Sequence, residues 1–158
     1  MSEKQQQSLK TVKRYMWWSM GAGLVPFPIL DLVAVSGVQL KMLADLSKAY
    51  DIPFQKSRVR AAIGSLVGFV VPHAMSYGLV GSLVKAIPWG GVVAVAPTMA
   101  LFSGACTWAL GNVFIQHFES GGTFLNFDAD AVKDYFKAQF EEGRNLAAAM
   151  KAEEQPEA

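Results

Sequence analysis

Few side chains in this sequence combine in the way that catalysis or metal binding requires. It contains two histidines, His73 and His117, and one cysteine, Cys106. This set is too small for a convincing structural zinc site. The sequence contains no phosphate-binding G-x-x-x-x-G-K, no H-E-x-x-H and no G-x-S-x-G. It therefore predicts a protein that is not an enzyme and that holds no metal.

Two ionisable residues occupy positions that leave alternatives open. His73 follows Pro72 inside an apolar stretch, where an ionisable group is by default a functional-site hypothesis. The favoured interpretation is a neutral imidazole bonded to a backbone carbonyl that the proline frees. Asp31 lies close behind Pro28 and either caps a helix or lines a polar path; capping is favoured.

Residues 61–115 form the most apolar stretch, in which Lys85 is the only fully charged side chain. Within it, residues 61–84 and 92–115 each span 24 residues. Each is about 36 Å long as a helix, against a bilayer core of about 30 Å. The pattern predicts an all-α membrane protein with a two-span transmembrane hairpin over residues 58–115. The alternative is a buried helical pair in a soluble all-α protein.

The charge is divided unevenly along the chain. The net charge is +1, but residues 1–20 carry +3, residues 41–60 carry +3 and residues 116–158 carry −5. Basic residues beside aromatic and apolar segments favour anionic membrane lipid as the partner over nucleic acid. Positive charge before the first predicted span favours an inner membrane with both termini in the cytoplasm.

Amphipathic helices are predicted over residues 9–50. Apolar residues recur at helical spacing from Leu9, and the opposite face carries Lys10, Lys13, Arg14 and Trp17. Such a face suits the headgroup region of a membrane, and an ordinary packing helix is the alternative. The tryptophans predicted at membrane interfaces are Trp17, Trp18 and Trp89. The structural break between the two helices is predicted at Pro26, Pro28 and Asp31.

Small residues recur at four-residue spacing in both predicted spans, which lets helix backbones approach closely. The glycines predicted at helix-packing and oligomer interfaces are Gly64, Gly68, Gly104 and Gly111. Pro72 is predicted to kink the first span. Its tolerance there argues for packing against other helices, so the sequence favours a homo-oligomer.

The chain ends in a predicted amphipathic helix over residues 128–143, followed by a flexible tail over residues 144–158. The helix carries an apolar stripe that includes Phe136 and Phe140. It is expected to dock on the second helix or on that helix in another subunit, and Gly143 is expected to end it. The whole chain, residues 1–158, is predicted to form a single domain.

Four segments of this sequence are similar to a known bacterial family. They are residues 23–31 (GLVPFPILD), 39–43 (QLKML), 46–50 (LSKAY) and 122–128 (GTFLNFD). They resemble the family named domain of unknown function 697, whose members are stand-alone proteins or the membrane part of some GTPases. Members that resemble this chain include porin-like, tetraspanin-like proteins of predatory bacteria that form a bowl-shaped ring and trap lipid.

The resemblance implies a symmetric ring-shaped or bowl-shaped homo-oligomer that encloses phospholipid and perturbs or remodels membranes. It implies bound phospholipid and no other cofactor, a GTPase partner acting in trans, and an outer membrane as an alternative location. Two other functions stay open. One is a porin-like pore, for which the polar residues of the predicted spans are few. The other is a membrane adaptor whose acidic C-terminal helix recruits a GTPase or another soluble protein.

Overall fold

The computed structural model describes residues 1–22, 28–75 and 90–154. These residues form five α-helices, with no strand among them: α1 (Glu3–Ala22), α2 (Pro28–Ala49), α3 (Lys56–Met75), α4 (Gly90–Glu119) and α5 (Lys133–Glu154). A 3₁₀ turn at Asp130–Val132 precedes α5. The prediction of an all-α fold is confirmed.

The helix ends carry local signals that explain their positions. The backbone N–H of Gln5 donates to the Ser2 hydroxyl at 3.1 Å, so a side chain caps the start of α1. α1 therefore begins before residue 9, where the apolar pattern starts. At the end of α4, Gly121 has a φ of +83°. The N–H of Gly122 there donates to the His117 carbonyl at 2.9 Å, a glycine-dependent helix end.

α4 is the central helix of the fold. α1 and α5 pack along it, and α2 lies on α1. Every residue from Ser103 to Gly111 is buried, and so are Val113, Phe114 and Ile115. The core therefore surrounds one helix on several sides.

No helix in the described part of the chain combines the length and the apolarity that crossing a membrane requires. The predicted two-span hairpin is therefore not confirmed. The first predicted span begins within α3, whose described part ends at Met75, and residues 76–89 lie outside the described residues. The second falls within α4, whose residues from Ser103 to Gly111 are all buried where α1 and α5 pack along the helix. For this part of α4, burial by protein explains the pattern.

α5 is longer than the sequence predicts. It continues through Gly143 to Glu154, so residues 144–154 are helical where a flexible tail is expected. A Cβ atom at Gly143 would lie 3.0 Å from the Cα and the carbonyl oxygen of Ala105. Gly143 thus allows α5 to approach α4 closely and does not end the helix. The buried stripe residues Phe136 and Phe140 lie on a helix that packs mainly against α4, not against α2.

Candidate membrane-contacting surface

The outer face of α1 exposes basic and aromatic side chains together. It consists of Lys10, Lys13, Arg14, Trp17 and Trp18, which we call the α1 surface. Trp17 is 38% exposed and Trp18 is 54% exposed, unusual values for the largest apolar side chain. The spacing of these residues at intervals of three and four places them on one side of the helix.

The inner face of α1 is apolar and is covered by the rest of the protein. Val12 and Met16 are fully buried, and Met20 is 5% exposed. The apolar face and the basic, aromatic face that the sequence predicts for this helix are therefore both present in the structure. Packing of the inner face leaves the basic and aromatic residues directed away from the core.

Two of the predicted interface glycines lie where α1 crosses α4. A Cβ atom at Gly104 would lie 2.7 Å from Cγ of Met20, and one at Gly111 would lie 2.6 Å from Cγ1 of Val12. Real Cβ atoms do not approach neighbours so closely. Gly104 and Gly111 therefore allow α1 of the same chain to pack closely on α4. This contact sets the distance between the two helices.

A buried cluster of hydroxyl and amide groups joins α1, α2 and α4. The Ser19 hydroxyl donates to the carbonyl oxygen of Ser103 at 3.0 Å. The Thr107 hydroxyl lies 2.8 Å from that of Ser19 and accepts from Nε2 of Gln39 at 3.3 Å. All four residues are at most 3% exposed. Because buried polar groups are costly unless paired, this cluster favours one register between the three helices.

Beside the α1 surface, Tyr15 on α1 donates a short hydrogen bond to Oδ2 of Asp45 on α2. The carboxylate also lies 3.8 Å from Nη2 of Arg14 and 3.8 Å from Nζ of Lys41. Burial, and then the hydrogen bond to Asp45, raise the pKa of Tyr15. The Tyr15 ring also meets the Trp18 ring edge-on, with centroids 5.3 Å apart.

The other end of α1 is tied to the end of α4. The Tyr50 hydroxyl donates to Oε1 of Glu119 at 2.6 Å, and the Ser2 hydroxyl donates to the same oxygen at 3.3 Å. Burial, and then the bond to Glu119, raise the pKa of Tyr50 to about 12. Lys4 lies over the Tyr50 ring, 5.4 Å from its centroid. α1 is thus held along its length, and the position of its outer face is set by the fold.

The segment after α4 packs against the end of that helix in an aromatic cluster. The side chains of this cluster are not arranged for catalysis. Phe114 stacks on Phe127 with ring centroids 4.4 Å apart, and Nε2 of His117 lies 2.8 Å from the carbonyl oxygen of Thr123. Between this segment and α3 lies a shallow cleft of about 280 Å³, lined in part by Arg58. The described residues contain no group of three or more His, Cys, Asp or Glu side chains arranged to hold a metal.

α3 exposes a second apolar face. Gly64 and Gly68 are exposed, and a Cβ atom at either would have nothing within 4 Å. Phe69 is 37% exposed and Val71 is 38% exposed on the same helix. Pro72 lies inside α3 and is exposed. We call these residues the α3 face; among the described residues nothing packs on its two glycines.

The remaining predicted residues are distributed as follows. Pro28 is the first residue of α2 and Asp31 lies in its first turn, while their side chains lie outside the described ones. Pro26 and Trp89 lie outside the described residues, as does the side chain of His73. Cys106 is buried, and that burial raises the pKa of its thiol.

Sequence reasoning missed the contact between Tyr15 and Asp45. Lys41 and Asp45 are four residues apart on one helix, a spacing that itself indicates an ion pair. The partner on α1 is 30 residues away along the chain. No local pattern connects positions so distant, because their proximity depends on how two helices pack.

Comparison with known proteins agrees with the family resemblance. Residues 1–145 match the family described as domain of unknown function DUF697. Magnetosome membrane protein 22 of Magnetospirillum gryphiswaldense is 40% identical over 141 residues, which cover 89% of this chain and 72% of that protein. No solved structure matches the chain. The match extends over far more than half of the sequence, and the chain belongs to the DUF697 family.

Proposed function

We propose that this protein is a non-enzymatic, membrane-associated protein of bacteria that binds the headgroup region of a phospholipid bilayer through the α1 surface. The observation that carries the proposal is the exposure of Trp17 and Trp18 on the same side of α1 as Lys10, Lys13 and Arg14. The relative's name, a magnetosome membrane protein, supports a membrane location.

The chemistry of this surface matches the two layers of a membrane interface. Indole rings favour the boundary between headgroups and acyl chains. Lys and Arg side chains add about 1 kcal/mol each near an anionic surface. Since the inner face of α1 is buried in the protein, the helix contacts lipid with its outer face while remaining part of the fold.

The proposal is tested by flotation of the purified protein with vesicles. Wild-type protein is expected to float with vesicles of phosphatidylcholine and phosphatidylglycerol, and less with phosphatidylcholine alone. The double variant W17A/W18A is expected to bind at least about tenfold more weakly, because transfer of each ring contributes about 1.5 kcal/mol or more. Leu125→Ala removes a 61% exposed apolar side chain elsewhere and serves as the matched control.

Two results would count against the α1 surface. One is a W17A/W18A variant that floats as well as wild type. The other is an equal loss for Leu125→Ala, which would indicate general hydrophobic adsorption. Circular dichroism of each variant establishes that the helical fold is retained.

A second function, supported by the α3 face, is assembly into a homo-oligomer that encloses phospholipid. Val71 is exposed beside Gly64 and Gly68, which leave room for another helix to approach, and Phe69 is exposed farther around the same helix, with Lys133 over its ring. A face of this kind is covered by lipid or by a second subunit when the protein sits at a membrane. Detection of phospholipid that stays bound to an oligomer of defined size would support this second function. Among the residues that the structure describes, no comparable feature favours the pore or the GTPase adaptor.

A further inference from the structure

Asp45 is an acidic residue placed among the cations of the membrane-facing side of the protein. Its carboxylate lies 3.8 Å from both the guanidinium of Arg14 and the ammonium of Lys41. These separations exceed the 2.7–3.2 Å of a hydrogen bond, so both ion pairs are loose. Surface pairs of this kind contribute little to folding and are readily exchanged.

The carboxylate of Asp45 has a buried partner, whereas the two cations are exposed. The carboxylate of Asp45 accepts a hydrogen bond from Tyr15, whose side chain is 1% exposed. The side chains of Arg14 and Lys41 are 57% and 62% exposed and end long flexible stems. When the cations move away, the carboxylate keeps its hydrogen bond to Tyr15. The cations can therefore change partner without breaking a buried contact.

We propose that Arg14 and Lys41 form a binding site for the phosphate of an anionic lipid headgroup, and that Asp45 occupies this site as an internal competing anion when no lipid is bound. The inference rests on the proposed function and adds a ligand chemistry and a selectivity residue to it.

The geometry favours a phosphate over other anions. A guanidinium presents paired donors that match phosphate oxygens, and an ammonium adds a compact positive charge. Arg14 lies over the Tyr15 ring, 5.2 Å from its centroid, which orients its planar group. Trp17 and Trp18 follow within one turn of α1. Indole rings seated at the interface place this pair at the depth of the headgroup phosphates.

The competition sets how negatively charged a membrane must be for strong binding. Together, the two cations Arg14 and Lys41 and the carboxylate of Asp45 carry a net charge of +1. A weakly anionic surface does not displace the carboxylate, while a strongly anionic one does. Asp45 thus makes binding depend more steeply on the fraction of anionic lipid.

The test is vesicle flotation of the full chain with Asp45→Asn, which keeps an acceptor for Tyr15 and removes the charge. The lipid concentration at half-maximal binding to vesicles of phosphatidylcholine and phosphatidylglycerol is expected to fall about fivefold. Binding to phosphatidylcholine alone is expected to stay unchanged. Glu153→Gln makes the same charge change at an exposed position on α5 and controls for net charge.

Arg14→Gln and Lys41→Gln are each expected to weaken binding to the anionic vesicles about fivefold. Combined with Asp45→Asn, each is expected to lose most of the gain of that variant. Equal behaviour of Asp45→Asn and Glu153→Gln would overturn the inference while leaving the proposed function in place. Failure of wild-type protein to bind any vesicle would remove both.

Inorganic phosphate distinguishes a lipid headgroup from a free ion as the ligand. At matched ionic strength, replacing chloride by phosphate is expected to leave vesicle binding unchanged, since the bilayer also holds the two tryptophans. Displacement of wild-type protein, but not of Arg14→Gln, would assign the site to free phosphate and overturn the headgroup proposal. The thermal unfolding midpoint of each variant checks that the fold is intact.

Discussion

At the scale of single residues, Gly111 and Gly64 show how the same residue type meets two different surroundings. Both lie inside α-helices. A Cβ atom at Gly111 would lie 2.6 Å from Cγ1 of Val12, whereas one at Gly64 would have nothing within 4 Å among the described residues. Only at Gly111 does the close approach of two helices require a glycine.

The matched substitutions Gly111→Ala and Gly64→Ala are expected to change stability in opposite directions. Gly111→Ala should lower the free energy of unfolding by about 1–3 kcal/mol, because the new methyl group forces α1 away from α4. In the monomer, where no described residue covers Gly64, Gly64→Ala should raise it by about 0.5–1 kcal/mol, because alanine loses less backbone entropy in a helix.

Urea unfolding followed by circular dichroism measures both changes. A neutral or stabilising effect of Gly111→Ala would show that α1 does not approach α4 as closely as the structure indicates. A destabilising effect of Gly64→Ala would show that the α3 face is covered in solution.

The four glycines look alike in the sequence, because each has a small residue four positions away. Spacing predicts that a backbone can be approached, but not which helix approaches it. The structure brings α1 to Gly104 and Gly111 and leaves Gly64 and Gly68 open. No described residue covers the open pair, so the role of Gly64 and Gly68 in an oligomer stays a prediction.

At the scale of helices, the end of α5 packs on the core through two side chains. Ala147 is fully buried and Met150 is 8% exposed. Ala147 also lies near Gly104, where α1 and α4 meet. The end of α5 therefore supports the helix pair that presents the α1 surface.

Removal of residues 144–158 is expected to lower the free energy of unfolding by about 2–5 kcal/mol, because it uncovers core side chains. Removal of residues 155–158 alone is the control and should have little effect. Thermal unfolding of the purified variants measures the difference. If the shorter variant does not fold, Met150→Ala provides a milder loss of the same contact. Stability equal to wild type in both variants would contradict the role of this segment.

Periodicity predicted some helices well and others poorly, for a physical reason. α1 has water or membrane on one side and protein on the other, so its apolar residues repeat with the helical period and its faces were predictable. α4 is buried at every position from Ser103 to Gly111. Lipid and protein side chains impose the same requirement on a sequence, so pattern alone could not separate a span from a core helix. The helical end of α5 was missed because Ala147 and Met150 are the only buried residues among its described side chains, too few to show a helical period.

At the scale of the whole molecule, native mass spectrometry is expected to detect a single oligomeric state that retains phospholipid until the subunits separate. The exposed apolar residues of the α3 face provide the physical reason, since they need a partner or lipid. Gly68→Leu is expected to break or remodel the oligomer while the monomer fold is kept, because its surroundings within the chain are open.

Gly104→Leu is the contrasting variant and is expected to destabilise the monomer itself, because Met20 occupies the space. A monomer or a loose mixture that loses lipid together with the detergent would contradict the enclosed-lipid proposal. The binding role of the α1 surface would remain open to its own test.

The contacts of α1 also have a consequence for the order of events during synthesis. Ser19 pairs with Thr107, which is made 88 residues later. At about 5–20 residues per second, α1 waits roughly 4–18 s for its partner helix. Until α4 is made, the inner face at Val12, Met16 and Met20 has nothing from that helix to cover it. A nascent helix that is basic on one side and apolar on the other has a membrane surface as its nearest favourable surroundings, so the chain is expected to meet lipid before it completes its core.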